Sequence, residues 1–240
     1  MPVARPNQAV SSLINQLATV VQRFDLFAGI ALSDCAQIVS AARERDFVPR
    51  KTIFLEGDPI RHVVLLLSGC VKVTQLGPNR QEVILRLSGP GEMVGALGLL
   101  AGYKHWATAR TTERSSALIW ECSQFEDICE RFPVLGRNAV RVIEQRLNDI
   151  EVRFREVSTE RVSPRLSSQM VRLLSQMGKH TDGEAKIALS RQELAQLTGT
   201  TLFTVSRLLC HWETRRIVSA RRKAVVIRDL PALLRLSHEE

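Results

Sequence analysis

Between Val140 and Val157 apolar side chains recur at intervals of 3, 4, 3, 4 and 3 residues: Val140, Ile143, Leu147, Ile150, Phe154 and Val157, with no proline and no glycine after Gly136. An α-helix places such residues on one stripe, and the alternation of three and four is the spacing of a coiled-coil seam. Arg141, Glu144, Arg146, Asp149, Glu151, Arg153, Arg155 and Glu156 flank the stripe, so it is narrow and bordered by charge. A narrow stripe suits a second copy of the same helix, and we expect a parallel homodimer along residues 132–158. The competing reading is an amphipathic helix packed on its own domain. Ser158, Thr159, Ser163 and Pro164 break the pattern and mark a hinge to a C-terminal domain, residues 159–240.

Upstream the pattern changes. Leu13 to Arg45 has helical spacing, with Ser33 and Asp34 able to cap a helix running through Ile38 to Arg43. From Phe47 to about Trp120 short apolar or β-branched runs alternate with turns at Ser68-Gly69, Gly77-Pro78-Asn79 and Gly89-Pro90-Gly91. Many short strands at that spacing imply an antiparallel sandwich or barrel-like roll, placed with the first helices in residues 1–131.

The chain has 240 residues and a net charge of +8. Residues 1–159 hold 19 basic and 17 acidic side chains, whereas residues 160–240 hold 14 and 8, so most of the excess lies in the last third. A concentrated basic region suits a polyanion such as nucleic acid, and a solvated basic face with no partner is the alternative. Ser190-Arg191-Gln192-Glu193 is a capping box that starts a helix, Gly199 permits the left-handed residue that ends it, and Thr201 can cap a second helix through Cys210. Two helices joined by a tight glycine turn describe a helix-turn-helix, although an ordinary helical hairpin shares most of its apolar constraints. Leu194, Ala195, Leu197, Val205, Leu208 and Trp212 fall on the inner faces. Leu202, Phe203, Ser206 and Arg207 fall on the outer face of the second helix, where a recognition helix meets the major groove, and Arg191 and Thr201 stand at the two helix starts. Ile217-Val218, the basic turn Ser219 to Lys223 and Ala224 to Ile227 form a hairpin wing, whose Arg221, Arg222 and Lys223 suit phosphate. A groove-bound Arg207 can bond O6 and N7 of guanine together.

Other chemistries find little support. No apolar run approaches the roughly 20 residues of a membrane span, and Asn15, Gln16 and Gln22 break the opening stretch, so a cytoplasmic protein with no membrane partner is expected. Five scattered cysteines without a C-x-x-C pair fit reduced thiols; Cys122 and Cys129 could serve thiol redox, with packing the simpler role. A cupin-like metal enzyme would need a His-x-His pair that the roll lacks, and no nucleophile or phosphate-loop motif replaces it, so neither catalysis nor a metal site is expected. A signalling or interaction module without DNA binding is a further alternative.

An N-terminal β-roll, a long dimer helix and a C-terminal winged helix, in this order and size, resemble the CRP/FNR family of bacterial transcription regulators. The resemblance is sharpest over Leu189 to Gly199, Thr204 to Leu209, Gly91 to Gly95 and Gly98 to Leu100. It implies an α+β fold with a roll like a cyclic-nucleotide-binding domain, and a homodimer on a palindromic site in double-stranded promoter DNA. It further implies an activator whose protein partner is RNA polymerase. By position, Ser206 and Arg207 match base-reading residues, while Phe203 stands where many members carry a glutamate and can instead touch a thymine methyl. The effector pocket would comprise Gly95, Ala96, Leu97, His105 and Trp106. There Ala96 replaces the glutamate that binds ribose, and His105 and Trp106 replace the Arg-Ser pair that binds the cyclic phosphate, so high-affinity cyclic AMP binding is not expected. An FNR-type iron–sulfur cluster needs several N-terminal cysteines and finds only Cys35. Leu97 stands where carbon-monoxide sensors carry a haem histidine, but haem through another residue stays open, because Leu202 to Arg207 resembles the nitric-oxide-responsive subgroup. His62 and His105 are the only histidines of the roll.

Overall fold

A computed structural model describes residues 6–95, 103–177, 179–181 and 184–237. Packing divides the chain into two compact units, residues 1–75 with 86–147, and residues 76–85 with 148–240.

The first unit opens with helices α1 (Pro6–Val21) and α2 (Leu32–Ser40), joined through a 3-10 turn at Asp25–Phe27. α2 starts from Ala31, which lends no side-chain cap. Ser33 and Asp34, expected to cap it, lie in its first turn, where the Asp34 carboxylate favours the positive helix end. The helix also stops earlier than expected. Arg43 opens β1 (Arg43–Phe47), since the backbone there pairs with β8 (Ser115–Glu121) instead of continuing the helix. The other strands are β2 (Thr52–Phe54), β3 (His62–Ser68), β4 (Val71–Leu76), β5 (Glu82–Ser88), β6 (Met93–Val94) and β7 (Thr108–Thr111). They form two four-stranded sheets, β1-β8-β3-β6 and β2-β7-β4-β5, with antiparallel registers wherever these are defined.

Strand alternation splits β3 between two cores. Val64 and Leu66 join Phe47, Phe54, Val71, Val73 and Val94 inside the roll, while Val63 and Leu65 face the helices. The helical core gathers Phe27, Ile38, Trp120, Phe125 of α3 (Cys122–Arg131), and Leu135 and Ala139 at the start of α4 (Pro133–Thr159). Two side chains fix it through three hydrogen bonds: Trp120 Nε1 donates to Ile38 O at 3.0 Å, and Asn138 Nδ2 donates to Leu26 O at 3.0 Å and Ala28 O at 2.8 Å. Both side chains are buried, so each satisfied donor also avoids a desolvation cost of about 1–3 kcal/mol.

In the second unit, α5 (Val162–Met177) follows after a break at Glu160–Arg161. The break is shorter than expected from sequence: Ser158 and Thr159 still belong to α4, and Ser163 and Pro164 lie in the first turn of α5, where proline loses no helical hydrogen bond. Then come β9 (Lys179–Thr181), β10 (Glu184–Ile187), α6 (Arg191–Thr198), α7 (Leu202–Thr214), β11 (Val218–Arg221), β12 (Ala224–Ile227) and α8 (Leu230–Leu236), with sheet order β11-β12-β10-β9.

Candidate functional site

The helix-turn-helix is built by local chemistry. Ser190 Oγ accepts from Glu193 N at 3.2 Å, and the Glu193 carboxylate accepts from Ser190 N at 2.8 Å, so both halves of the capping box are closed. Gly199 ends α6 at φ +61°, a left-handed conformation that costs a side-chain-bearing residue about 1 kcal/mol or more. Thr201 then caps α7, its Oγ1 accepting from Thr204 N at 3.2 Å. Leu194, Ala195, Leu197, Val205 and Trp212 are buried as expected. Leu208 is only half-buried, and Leu209 takes the inner position, because Val205, Leu209 and Trp212 at steps of four and three track the face turned inward.

The outer face of α7 is open: Leu202, Phe203 and Arg207 are exposed and Ser206 is half-buried beside them, with Phe203 at 75% exposure. Arg191 is half-buried and Thr201 exposed at the starts of the two helices. The wing is tighter than expected, since Ser219 to Arg221 belong to β11 and only Arg222 and Lys223 form the turn, both exposed. All four residues of β12 are buried, which anchors the turn.

α4 presents its apolar stripe outward. Val140, Ile143, Leu147, Ile150, Phe154 and Val157 are all exposed, Phe154 to 73%, so none is absorbed by packing on its own unit. The charged flanks, in contrast, are not uniformly solvated. Glu156 is 5% exposed and receives both Arg172 Nη1 at 2.6 Å and Arg172 Nη2 at 2.8 Å, a bidentate pair joining α4 to α5. Arg153 donates to Leu197 O at 2.9 Å, the carboxyl end of α6, and also to Leu85 O.

The sensor residues fall apart into two groups. Gly95 and His105 are neighbours around Phe54: the His105 and Phe54 rings stack at 3.6 Å, and a Cβ on Gly95, at φ +87°, would come within 2.7 Å of Phe54. Trp106 is 78% exposed and does not join them. Ala96 and Leu97, with the Gly98 to Leu100 match, lie outside the described residues. Burial holds the His105 imidazole below the usual histidine range against the pull of Asp58, so the ring is a poor source of positive charge. His105 also borders a cavity of about 350 Å³ lined by Phe47, Phe54 and Val64 with Arg45 and Arg61. His62 lies 3.1 Å from Glu121. Among the described residues no group of three His, Cys, Asp or Glu could hold a metal ion.

Positive charge reaches Gly95 from elsewhere. Arg146 of α4 donates to Gly95 O at 3.4 Å and to Met93 O. Beside it stand Arg86 of β5 and Glu92. Burial lowers the Arg146 guanidinium to about 10, with Arg86 pushing the same way and Glu92 opposing. Burial pushes the Glu92 carboxyl up, opposed by Arg146 and Arg86. In the sequence Arg146 reads as one of the charged residues flanking the stripe, and Arg86 and Glu92 carry no motif. A single arginine next to the end of the otherwise apolar run Val83 to Leu87 is the signal the sequence offers.

Two family models match the chain: a cyclic nucleotide-binding domain over residues 44–132 and a Crp-like helix-turn-helix domain over residues 165–236. The chain is 25% identical over 218 residues to a CRP-like cAMP-activated global transcriptional regulator of Mycobacterium tuberculosis, covering 90% of this chain and 97% of the relative. It is 29% identical over 185 residues to the cyclic AMP receptor protein of Thermus thermophilus, covering 77% and 83%. The structure of the c-di-GMP responsive global regulator CLP of Xanthomonas campestris shares the fold, with a TM-score of 0.72, 20% identity and coverage of 82% and 99%. A sensor-type roll followed by a DNA-binding winged helix defines a one-chain transcription regulator. This chain belongs to the CRP/FNR family. No helix among its described residues is long and apolar enough to cross a membrane.

Proposed function

We propose that the protein is a homodimeric transcription regulator that binds a two-fold symmetric site in double-stranded promoter DNA and answers to a signal other than cyclic AMP sensed in the roll. The observation that carries the reading is the capped helix-turn-helix, which leaves Leu202, Phe203, Ser206 and Arg207 on the open face of α7 beside a cationic wing turn. The six exposed apolar residues of α4 support the dimer, because a stripe of that size is stable in water only when covered. A signal other than cyclic AMP is supported by the alanine at position 96, by the neutral-leaning His105 and by the outward Trp106. Haem is a poor fit to the two roll histidines: His62 Nε2 is bonded to Glu121 at an exposed position and His105 lies flat on Phe54, so each would have to leave its partner to ligate iron. In this reading the chain is a regulator and not an enzyme, with RNA polymerase as its protein partner.

The direct test is duplex binding by fluorescence anisotropy. Wild-type protein should bind a selected duplex with strong salt dependence, and Arg207→Ala should lose about 1–3 kcal/mol of preference at one guanine. Equal binding of every duplex by both proteins would refute base reading by Arg207.

A further inference from the structure

Phe203 stands in the first turn of α7 and is 75% exposed. Residues three and four apart share a helix face, so Phe203, the half-buried Ser206 and the exposed Arg207 form one strip. The ring adds nothing to the packing of the winged helix, whose share of α7 is the buried set Val205, Leu209 and Trp212. An exposed phenyl ring gains only when something apolar covers it. Its surroundings decide what can. The first turn of α7 has no acidic side chain, and Thr201 Oγ1 and Thr204 Oγ1 are bonded to each other at 2.9 Å. A base facing the ring therefore meets no carboxylate that could accept from an exocyclic amine, and the ring itself neither donates nor accepts. On the major-groove edge thymine carries an apolar group, its C5 methyl, whereas adenine, guanine and cytosine present donors and acceptors. Covering those with a phenyl ring takes them out of water without a partner, which is costly. 5-Methylcytosine carries the same methyl at the same ring position as thymine.

We infer that Phe203 reads the C5 methyl group of a pyrimidine, so that the protein favours thymine over uracil, and 5-methylcytosine over cytosine, at one position of each half-site. The inference rests on the reading of α7 as a DNA-reading helix and deepens it. Four residues of α-helix rise about 6 Å, and base pairs are stacked about 3.4 Å apart. The methyl therefore lies within about two base pairs of the guanine assigned to Arg207. A regulator built this way takes the methylation state of a promoter cytosine as an input separate from the signal in the roll, because adding the C5 methyl strengthens the site without changing its base pairing.

The full chain first selects a duplex from a random pool. Each thymine of the selected half-site is then replaced by deoxyuridine, one position at a time in both halves, which removes the methyl and leaves the pairing edge intact. Burial of one methyl group is worth about fourfold in affinity, hence about fifteenfold over two half-sites. Anisotropy titration of wild type should show that loss at one position within about two base pairs of the Arg207 guanine. With cytosine placed there, C5 methylation should strengthen binding by the same factor. Phe203→Ala should bring both ratios to about one while keeping the guanine preference and the wild-type thermal midpoint, and Phe203→Leu, still apolar, should keep part of each ratio. A half-site without thymine, a flat uridine scan, or a methyl effect that Phe203→Ala leaves unchanged overturns the methyl contact alone, since selective duplex binding then stands. A lowered midpoint in Phe203→Ala would show the ring packed within the protein and also overturn it. Binding of no duplex, or of all duplexes equally, sinks the regulator and the methyl contact together.

Discussion

Replacing both residues of the wing turn, Arg222→Gln with Lys223→Gln, isolates the electrostatic part of DNA binding. Both side chains are exposed, and among the described residues neither takes part in an ion pair. Arg221, which has interactions of its own, is left in place. The buried β12 beside the turn keeps the hairpin folded. Each phosphate contact contributes about 0.9 to the slope of log affinity against log salt. Two contacts per wing and two wings per dimer amount to a slope change of about 3.6. Between 50 and 200 mM salt that corresponds to about a 150-fold difference in how far wild type and variant weaken. Anisotropy of a labelled duplex over that range measures both slopes. A smaller slope for the variant, with base preference unchanged, is expected, since phosphate contacts position without choosing sequence. Parallel slopes for the two proteins would refute phosphate contact by the wing.

Three further outcomes follow from packing and capping. Ser190→Ala removes the acceptor of Glu193 N and should cost about 1 kcal/mol, lowering the thermal midpoint by about 2–4 °C; no change would mean that the capping box adds nothing in the whole chain. Ile150→Asp places a charge in the exposed stripe and should raise the dimer dissociation constant at least tenfold, about 1.4 kcal/mol, in sedimentation equilibrium; an unchanged dimer would place the interface elsewhere. Burial, with Glu126 adding to it, raises the Cys129 thiol to about 11 from 9.0, so folding favours its protonated form. That contribution is fully present below pH 9 and is lost as pH rises through about 11, so alkylation of Cys129 should lag behind that of the exposed Cys210 at pH 8 and rise steeply towards pH 11. Equal rates at pH 8 would contradict the burial.

Features set by local rules were legible in the sequence. The capping box at Ser190, the glycine stop at 199 and the cap at Thr201 each involve residues three or four apart, and all appear in the structure. The apolar stripe of α4 was legible for the same reason. What sequence pattern missed depends on long-range pairing. Arg43 reads as helical until β8 claims it across the sheet. Arg146, Arg153 and Glu156 look like solvated flanks until Gly95, Leu197 and Arg172 meet them. The resemblance drew the sensor site to positions 105 and 106, and only the fold shows Trp106 pointing to solvent while Arg86 and Arg146 stand together.

Selection of bound duplexes from a random pool tests the proposed regulator most directly. The expected motif is two-fold symmetric, with half-site centres about 10–10.5 base pairs apart or a multiple of that, and Arg207→Ala should lose the preference at one guanine in each half. A pool that returns no motif, or a motif without symmetry that Arg207→Ala leaves intact, would contradict a dimer reading DNA through α7.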